Sequence, residues 1–93
     1  MRRPEIIARL KAALQKNKVK KAYLFGSFAR NEKKYHDIDV AIEPPNAHFS
    51  LFDLVGMQQE LEAQLHQKVD LLTIKSISPY VFPYIKKDMV PIL

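Results

Sequence analysis

The chain is 93 residues long, a length that predicts one small domain over residues 1–93. Hydrophobic residues make up 47 % of it, enough for a packed core, and the absence of cysteine excludes disulfides and thiolate metal sites, so we expect a cytoplasmic protein. The net charge of +5 is unevenly distributed, because residues 1–36 carry a balance of +9 and residues 37–93 one of −4. We therefore expect a basic side that attracts polyanions and an acidic side that attracts cations.

The first predicted element is an amphipathic helix over residues 3–16, with Pro4 suited to its first turn. Its apolar stripe consists of Ile6, Ile7, Leu10, Ala13 and Leu14. Charged residues interrupt this stripe every few positions, so we expect neither a signal peptide nor a membrane span. Residues 19–26 then predict a short, mostly buried strand that ends at Gly26, and residues 27–30 predict the first turn of a short helix.

The second strand is predicted over residues 37–43 by strict alternation of side chains. One face carries Ile38, Val40 and Ile42, and the other carries Asp37, Asp39 and Ala41. Ser50 and Asp53 have the spacing of a capping box, which predicts a helix from there to about His66.

The third strand is predicted over residues 68–74, and the proline-containing tail predicts a short helix that begins near Pro79 and is kinked at Pro83. The order is then helix, strand, short helix, strand, helix, strand, helix. This order indicates a mixed α/β fold with a three-stranded sheet in the order 1-2-3.

Connection lengths predict how the strands meet. About ten residues separate Gly26 from Asp37, too few for the usual parallel crossover, so strands one and two should be antiparallel neighbours. The connection between residues 43 and 69 contains a whole helix and fits a right-handed crossover between parallel strands two and three. These connections bring five residues to one edge of the sheet: Gly26, Ser27, Asp37, Asp39 and Asp70.

The acidic members of this set suit metal-assisted phosphoryl transfer. Asp37 and Asp39 project the same way from a strand, and magnesium ions would relieve their repulsion. Asp70 would complete a two-metal arrangement. Alone, an Asp-x-Asp is more often a solvent-facing strand, but spacing and topology together favour a site.

The remaining members suit a phosphate. Gly26 lets backbone approach a phosphate closely, Ser27 can donate its hydroxyl, and the helix that begins there directs free amides toward negative charge. Arg30, one turn further on, can add a positive charge. A lone Gly-Ser pair before a helix is most often only a cap, so this interpretation depends on the neighbouring acids.

The stretches LFGSFARNEKKYHDIDVAIE and KVDLLT resemble the nucleotidyltransferase superfamily that includes DNA polymerase β. The signature of that superfamily is Gly-Ser, Asp-x-Asp after a short gap, and a third acid on a later strand. The short length, the GSFAR form and the closing SPYVFPYIKKDMV resemble the minimal nucleotidyltransferases (MNT), which are antitoxins of HEPN/MNT toxin-antitoxin pairs. The resemblance covers nearly the whole chain.

The resemblance implies transfer of AMP from ATP to a hydroxyl, with two magnesium ions held by Asp37, Asp39 and Asp70. Asp70 would also assist deprotonation of the attacking hydroxyl, and Gly26 and Ser27 would contact the triphosphate. The implied acceptor is a tyrosine of a HEPN-type RNase toxin, whose adenylylation silences the toxin. The resemblance leaves both a homodimer and a hetero-oligomer with the toxin open.

Two positions depart from the family pattern without removing a metal ligand. Asn31 stands where glycine commonly follows the arginine, and His36 stands where serine commonly precedes the first aspartate.

Two other interpretations compete with the enzyme. One is a non-catalytic antitoxin that binds its HEPN partner through a surface including Tyr80, Phe82 and Tyr84. The other is direct nucleic-acid binding by the basic half, which we do not expect because no recognisable motif accompanies the lysines.

Overall fold

Helices and strands alternate along the chain, and the computed structural model describes all 93 residues. In chain order the elements are α1 (Arg3–Lys16), β1 (Ala22–Phe25), α2 (Gly26–Ala29), β2 (Ile38–Ile42), α3 (Leu51–Leu65), β3 (Val69–Thr73), α4 (Phe82–Lys86) and β4 (Val90–Pro91). One 3-10 turn, Ile74–Ser76, follows β3. None of the helices is long and apolar enough to cross a bilayer.

The two long helices begin and end where local chemistry dictates. The amide of Asn17 donates through Nδ2 to the Ala13 carbonyl at 2.8 Å and closes α1. The capping box of α3 is present, because Ser50 Oγ accepts from the Asp53 amide at 3.2 Å while Asp53 Oδ2 accepts from the Ser50 amide at 2.8 Å. His66 ends this helix in the left-handed conformation.

The sheet has four strands in the order β3-β2-β1-β4, so the prediction of three strands is wrong. β1 runs antiparallel to β2, and β2 runs parallel to β3, as the connection lengths predict. The additional strand β4 pairs antiparallel with β1 and contains only Val90 and Pro91. Two residues are too few to show a strand's alternation, and proline is tolerated because β4 lies at an edge.

The last helix also differs from its prediction. It begins at Phe82 and not near Pro79, and Pro83 lies in its first turn. The amides of a first turn have no partner within the helix, so proline starts α4 there without kinking it.

Side chains of α3 cover the outer edge of β3. Glu62 Oε2 accepts from the Val69 amide at 3.0 Å, and Gln58 Oε1 accepts from the Leu71 amide at 3.0 Å. Both amides lack a partner in β2, and these side chains satisfy them.

The two faces of the sheet have different neighbours. The face that we call the core face packs in one cluster with α1 and α3 and consists of Leu24, Ile38, Val40, Ile42, Val69 and Leu71. The alternate residues form the open face and are Tyr23, Phe25, Asp39, Ala41, Asp70 and Leu72. The cluster on the core face contains 16 buried residues, whereas α4, which borders the open face, contributes none. The polar residues of the predicted site therefore lie on the open face.

Candidate active site

The register of the sheet brings the predicted residues together at one end of the open face. Phe25, the last residue of β1, lies opposite Asp39, and Asp39 lies opposite Asp70 on the other side. Gly26 directly follows Phe25, and Asp37 immediately precedes β2. Neighbouring strands lie about 4.8 Å apart, so the side chains of Asp39 and Asp70 are direct neighbours.

Gly26 is required by both its conformation and its contacts. Its φ of 72° lies in the left-handed region, which other residues adopt only at a cost. A Cβ built on Gly26 would overlap Oδ2 of Asp39 and lie 3.1 Å from its Cγ. The absence of a side chain therefore allows the backbone to lie against the Asp39 carboxylate.

The helix that carries Ser27 is anchored by Phe28, which is fully buried. Tyr35 packs edge-on against the Phe28 ring at 4.9 Å, and the Arg3 guanidinium lies over the ring at 4.0 Å. Arg3 Nη1 also donates to the Phe28 carbonyl. These contacts hold α2 in place, but α2 is only four residues long, so its aligned amides contribute no more than one turn.

The carboxyl of Asp39 has an unusual electrostatic environment. Burial, the charge of Asp70 and the charge of Asp37 together raise its pKa from 3.8 to about 6, and the charge of Arg30 opposes this increase. The charges of Asp37 and Asp70 therefore both act on the Asp39 carboxyl. A cation at this position would relieve their repulsion.

The donor set fits magnesium held jointly with a substrate. The chain does not gather three or more acidic or histidine side chains tightly enough to enclose an ion by themselves. Magnesium is usually bound by one or two carboxylates together with waters and substrate phosphates, and not by an all-protein cage. Asp37, Asp39 and Asp70 supply the oxygen ligands that such an ion prefers, so they fit this kind of site.

Arg30 lies at the end of α2, where its side chain contacts carboxylates. Its Nε donates to Glu32 Oε2 at 2.7 Å, and its Nη1 donates to Asp88 Oδ2 at 2.6 Å. These two partners raise the pKa of the exposed guanidinium above its ordinary value. A phosphate contact by Arg30, which the sequence predicts, would require exchange of at least one of these partners.

Sequence reasoning missed the partners of Arg30 and of Phe28. Asp88 lies 58 residues from Arg30 in sequence, and no local pattern links the two. The contact between Arg3 and Phe28 spans 25 residues and is likewise long-range.

The two departures from the family pattern lie in the connection between α2 and β2. Asn31 has a φ of 62°, so it occupies a left-handed position. Asparagine tolerates that conformation better than most residues other than glycine, which explains why it can stand where glycine is common. The side chain of His36 is exposed.

The chain matches known proteins over most of its length. Residues 7–91 match the family model of the nucleotidyltransferase domain. A protein of Methanocaldococcus jannaschii, provisionally named protein adenylyltransferase MJ0435, is 42 % identical over 90 residues that cover 96 % of each chain.

Two solved structures share the fold. A chain of a toxin-antitoxin crystal structure with AMP-PNP superposes with a TM-score of 0.79 at 22 % identity, covering 94 % of this chain and 72 % of that one. A chain of the Shewanella oneidensis complex between a tri-AMPylated HEPN toxin and its MNT antitoxin gives a TM-score of 0.76 at 22 % identity, covering 97 % of this chain and 71 % of that one.

Proposed function

The chain belongs to the nucleotidyltransferase domain family, and from that membership we propose that it transfers AMP from ATP to a hydroxyl group of a partner protein, with two magnesium ions. The observation that carries this proposal is the placement of Asp39, which lies between Asp70 and the side-chain-free backbone of Gly26. Metal ligands and a close backbone approach for phosphate therefore meet at one carboxylate.

In this proposal the residues divide into two groups. Asp37, Asp39 and Asp70 hold the magnesium ions, which when bound supply positive charge to the triphosphate and the attacking oxygen. The backbone of Gly26 and the hydroxyl of Ser27 orient the phosphates. Arg30 contacts them when one of its carboxylate partners is released.

The proposed reaction forms one bond and breaks one. The acceptor oxygen bonds to the α-phosphorus of ATP, and the bond from that phosphorus to its bridging oxygen breaks, releasing pyrophosphate. The Asp70 carboxylate accepts the proton of the acceptor hydroxyl. Burial of the Asp39 carboxyl, together with the charges of Asp70 and Asp37, raises its pKa to about 6, and a bound cation would favour its charged form.

The proposed acceptor is a tyrosine of a HEPN-type RNase toxin, so the chain would act as an antitoxin. The relative at 42 % identity is provisionally named a protein adenylyltransferase, which supports a protein acceptor. The structural neighbour that contains a tri-AMPylated HEPN toxin supports the choice of partner.

The test is a transfer assay with the HEPN partner, magnesium and ATP labelled at the α-phosphate. The wild-type chain should label the partner, whereas the double variant Asp37→Asn, Asp39→Asn and a sample with excess EDTA should not. Glu5→Gln is a matched control, because it removes an exposed carboxylate that pairs only with Arg9. Equal labelling by wild type and double variant, or no labelling by either, would contradict the proposal.

A second candidate is an antitoxin that acts by binding alone. Two exposed tyrosines favour this binding-only candidate. Tyr80, which precedes α4, is 88 % exposed, and Tyr84, which lies within α4, is 69 % exposed. Protection of cells by the double aspartate variant at the wild-type level would establish this alternative.

A further inference from the structure

A groove on the open face lies beside the acidic residues but is separate from them. It encloses about 350 Å³ and is lined by Tyr23, Ile74, Phe82, Lys86 and Met89. Four of these residues are hydrophobic, and Lys86 is the one charged side chain. A cavity of this size, mostly apolar with one polar group, is typical of a small-ligand site.

The groove lies one row of side chains away from the acids. Tyr23 precedes Phe25 by two residues and points to the same face of the sheet, and it lies opposite Ala41 just as Phe25 lies opposite Asp39. Two residues of a strand span about 7 Å. A ligand whose phosphates lie at Asp39 could therefore place its next chemical group in the groove.

A second connection joins the groove to the phosphate side of the site. Met89 lines the groove, and the preceding residue, Asp88, accepts a hydrogen bond from Arg30 at the end of α2. One wall of the groove and the segment that follows Gly26 and Ser27 are thus held together.

The apolar residues of the groove are not closed off by the chain itself. No residue of α4 is buried, and Phe82 and Met89 are both half-exposed. Flat aromatic rings with an exposed face suit stacking against a nucleobase, and the Lys86 ammonium can only donate hydrogen bonds. Ring nitrogens of a purine accept such bonds.

We propose that this groove binds the purine base and ribose of the nucleoside triphosphate whose phosphates bind beside Asp39. Tyr23 from the sheet and Phe82 from α4 contact the base, and Lys86 donates to one of its acceptors. This inference rests on the proposed function for the identity of the ligand as a nucleoside triphosphate. It adds the residues that contact the base.

The first test distinguishes the binding of the base from the binding of the phosphates. The full chain is titrated, in the presence of magnesium, with ATP and with inorganic tripolyphosphate, which has no base. Phe82→Ala should weaken ATP binding by about tenfold and leave tripolyphosphate binding unchanged. Tyr80→Ala is the matched control, because it removes a more exposed aromatic residue two positions earlier that does not line the groove. Equal weakening of both ligands by Phe82→Ala, or unchanged ATP binding, would overturn the inference.

The second test needs no substitution. The chain has three methionines, so their labelled methyl groups give separate NMR signals. The Met89 signal should shift with ATP and not with tripolyphosphate, while that of Met57, buried in the core, should shift with neither. ATP binding with no response at Met89 would overturn this inference and leave the proposed function standing, whereas absence of ATP binding to the wild-type chain would overturn the proposed function itself.

Discussion

The two faces of the sheet use the same strands for different purposes. On the core face, alternate residues of β1, β2 and β3 are sealed by α1 and α3 in a cluster that contains no polar or charged residue. On the open face, the intervening residues include Asp39 and Asp70, and the helix that borders this face buries none of its side chains. The contrast indicates that one face supplies stability, which allows the other to tolerate mutual repulsion between carboxylates.

The largest expected effect comes from the open face. Asp39→Asn should lower the transfer rate by about 10³-fold, because the proposed metal ligand that lies between Asp70 and Gly26 is lost. The same change should not lower the melting temperature, since it removes a repelled charge. Transfer assays combined with thermal unfolding of the same sample measure both, and a large loss of stability would contradict the division between the faces.

The core face should show the opposite response. Leu61 is fully buried, so Leu61→Ala should lower the free energy of unfolding by about 2–5 kcal/mol. Urea unfolding measures this, and the fraction that remains folded should transfer AMP at the wild-type rate. A loss of activity beyond the loss of folded protein would mean that the core face also shapes the site.

Gly26 contributes both to the stability of the fold and to the geometry of the proposed site, so its replacement should lower both the free energy of unfolding and the transfer rate. Gly26→Ala should cost about 1–2 kcal/mol for the left-handed backbone and reduce transfer by about 10²-fold, because the new Cβ displaces the Asp39 carboxylate. Unfolding and transfer assays measure the two effects. The matched control is Gly56→Ala in α3, where a Cβ meets nothing within 4 Å, and this change should stabilise the chain by about 0.5–1 kcal/mol.

The smallest expected effect is a dependence of stability on pH in the absence of metal. The pKa of Asp39 is raised to about 6 in the folded chain, so the folded state binds this proton more tightly than the unfolded state does. Its contribution is therefore most favourable at low pH and is lost as the pH rises from about 4 to 6. Because the carboxyl is partly open to solvent, screening limits the loss to about 1 kcal/mol.

Urea unfolding in EDTA at several pH values measures this dependence. The difference in unfolding free energy between Asp39→Asn and wild type should grow across that interval, and a constant difference would contradict the raised pKa.

Regular patterns in the sequence predicted most of the fold. The apolar stripe of α1 and the capping box of α3 give local signals, and the lengths of the connections are sufficient to orient β1, β2 and β3. The strand β4 escaped prediction because a pair of residues that includes Pro91 has no periodicity. The meeting of Gly26 with Asp39 and Asp70 followed from topology, whereas the chemical roles of these residues remain predictions.

Contacts between distant segments had no such signal. The guanidinium of Arg30 was predicted to face a phosphate, yet it bonds to Glu32 and Asp88. Asp88 reaches it only because the tail folds back to add β4 beside β1. Charge and spacing in sequence cannot distinguish an arginine whose side chain is free to bind a phosphate from one that already bonds to carboxylates of the same chain.

The covered edge of β3 has a consequence for strand pairing between molecules. An uncovered edge strand can recruit a strand from another molecule and start aggregation, but here Glu62 and Gln58 occupy the amides that such a strand would need. The other edge is only two residues long and carries Pro91, which cannot donate a ladder hydrogen bond. Neither edge of the sheet therefore favours pairing with a strand from another copy, even though the open face stays accessible.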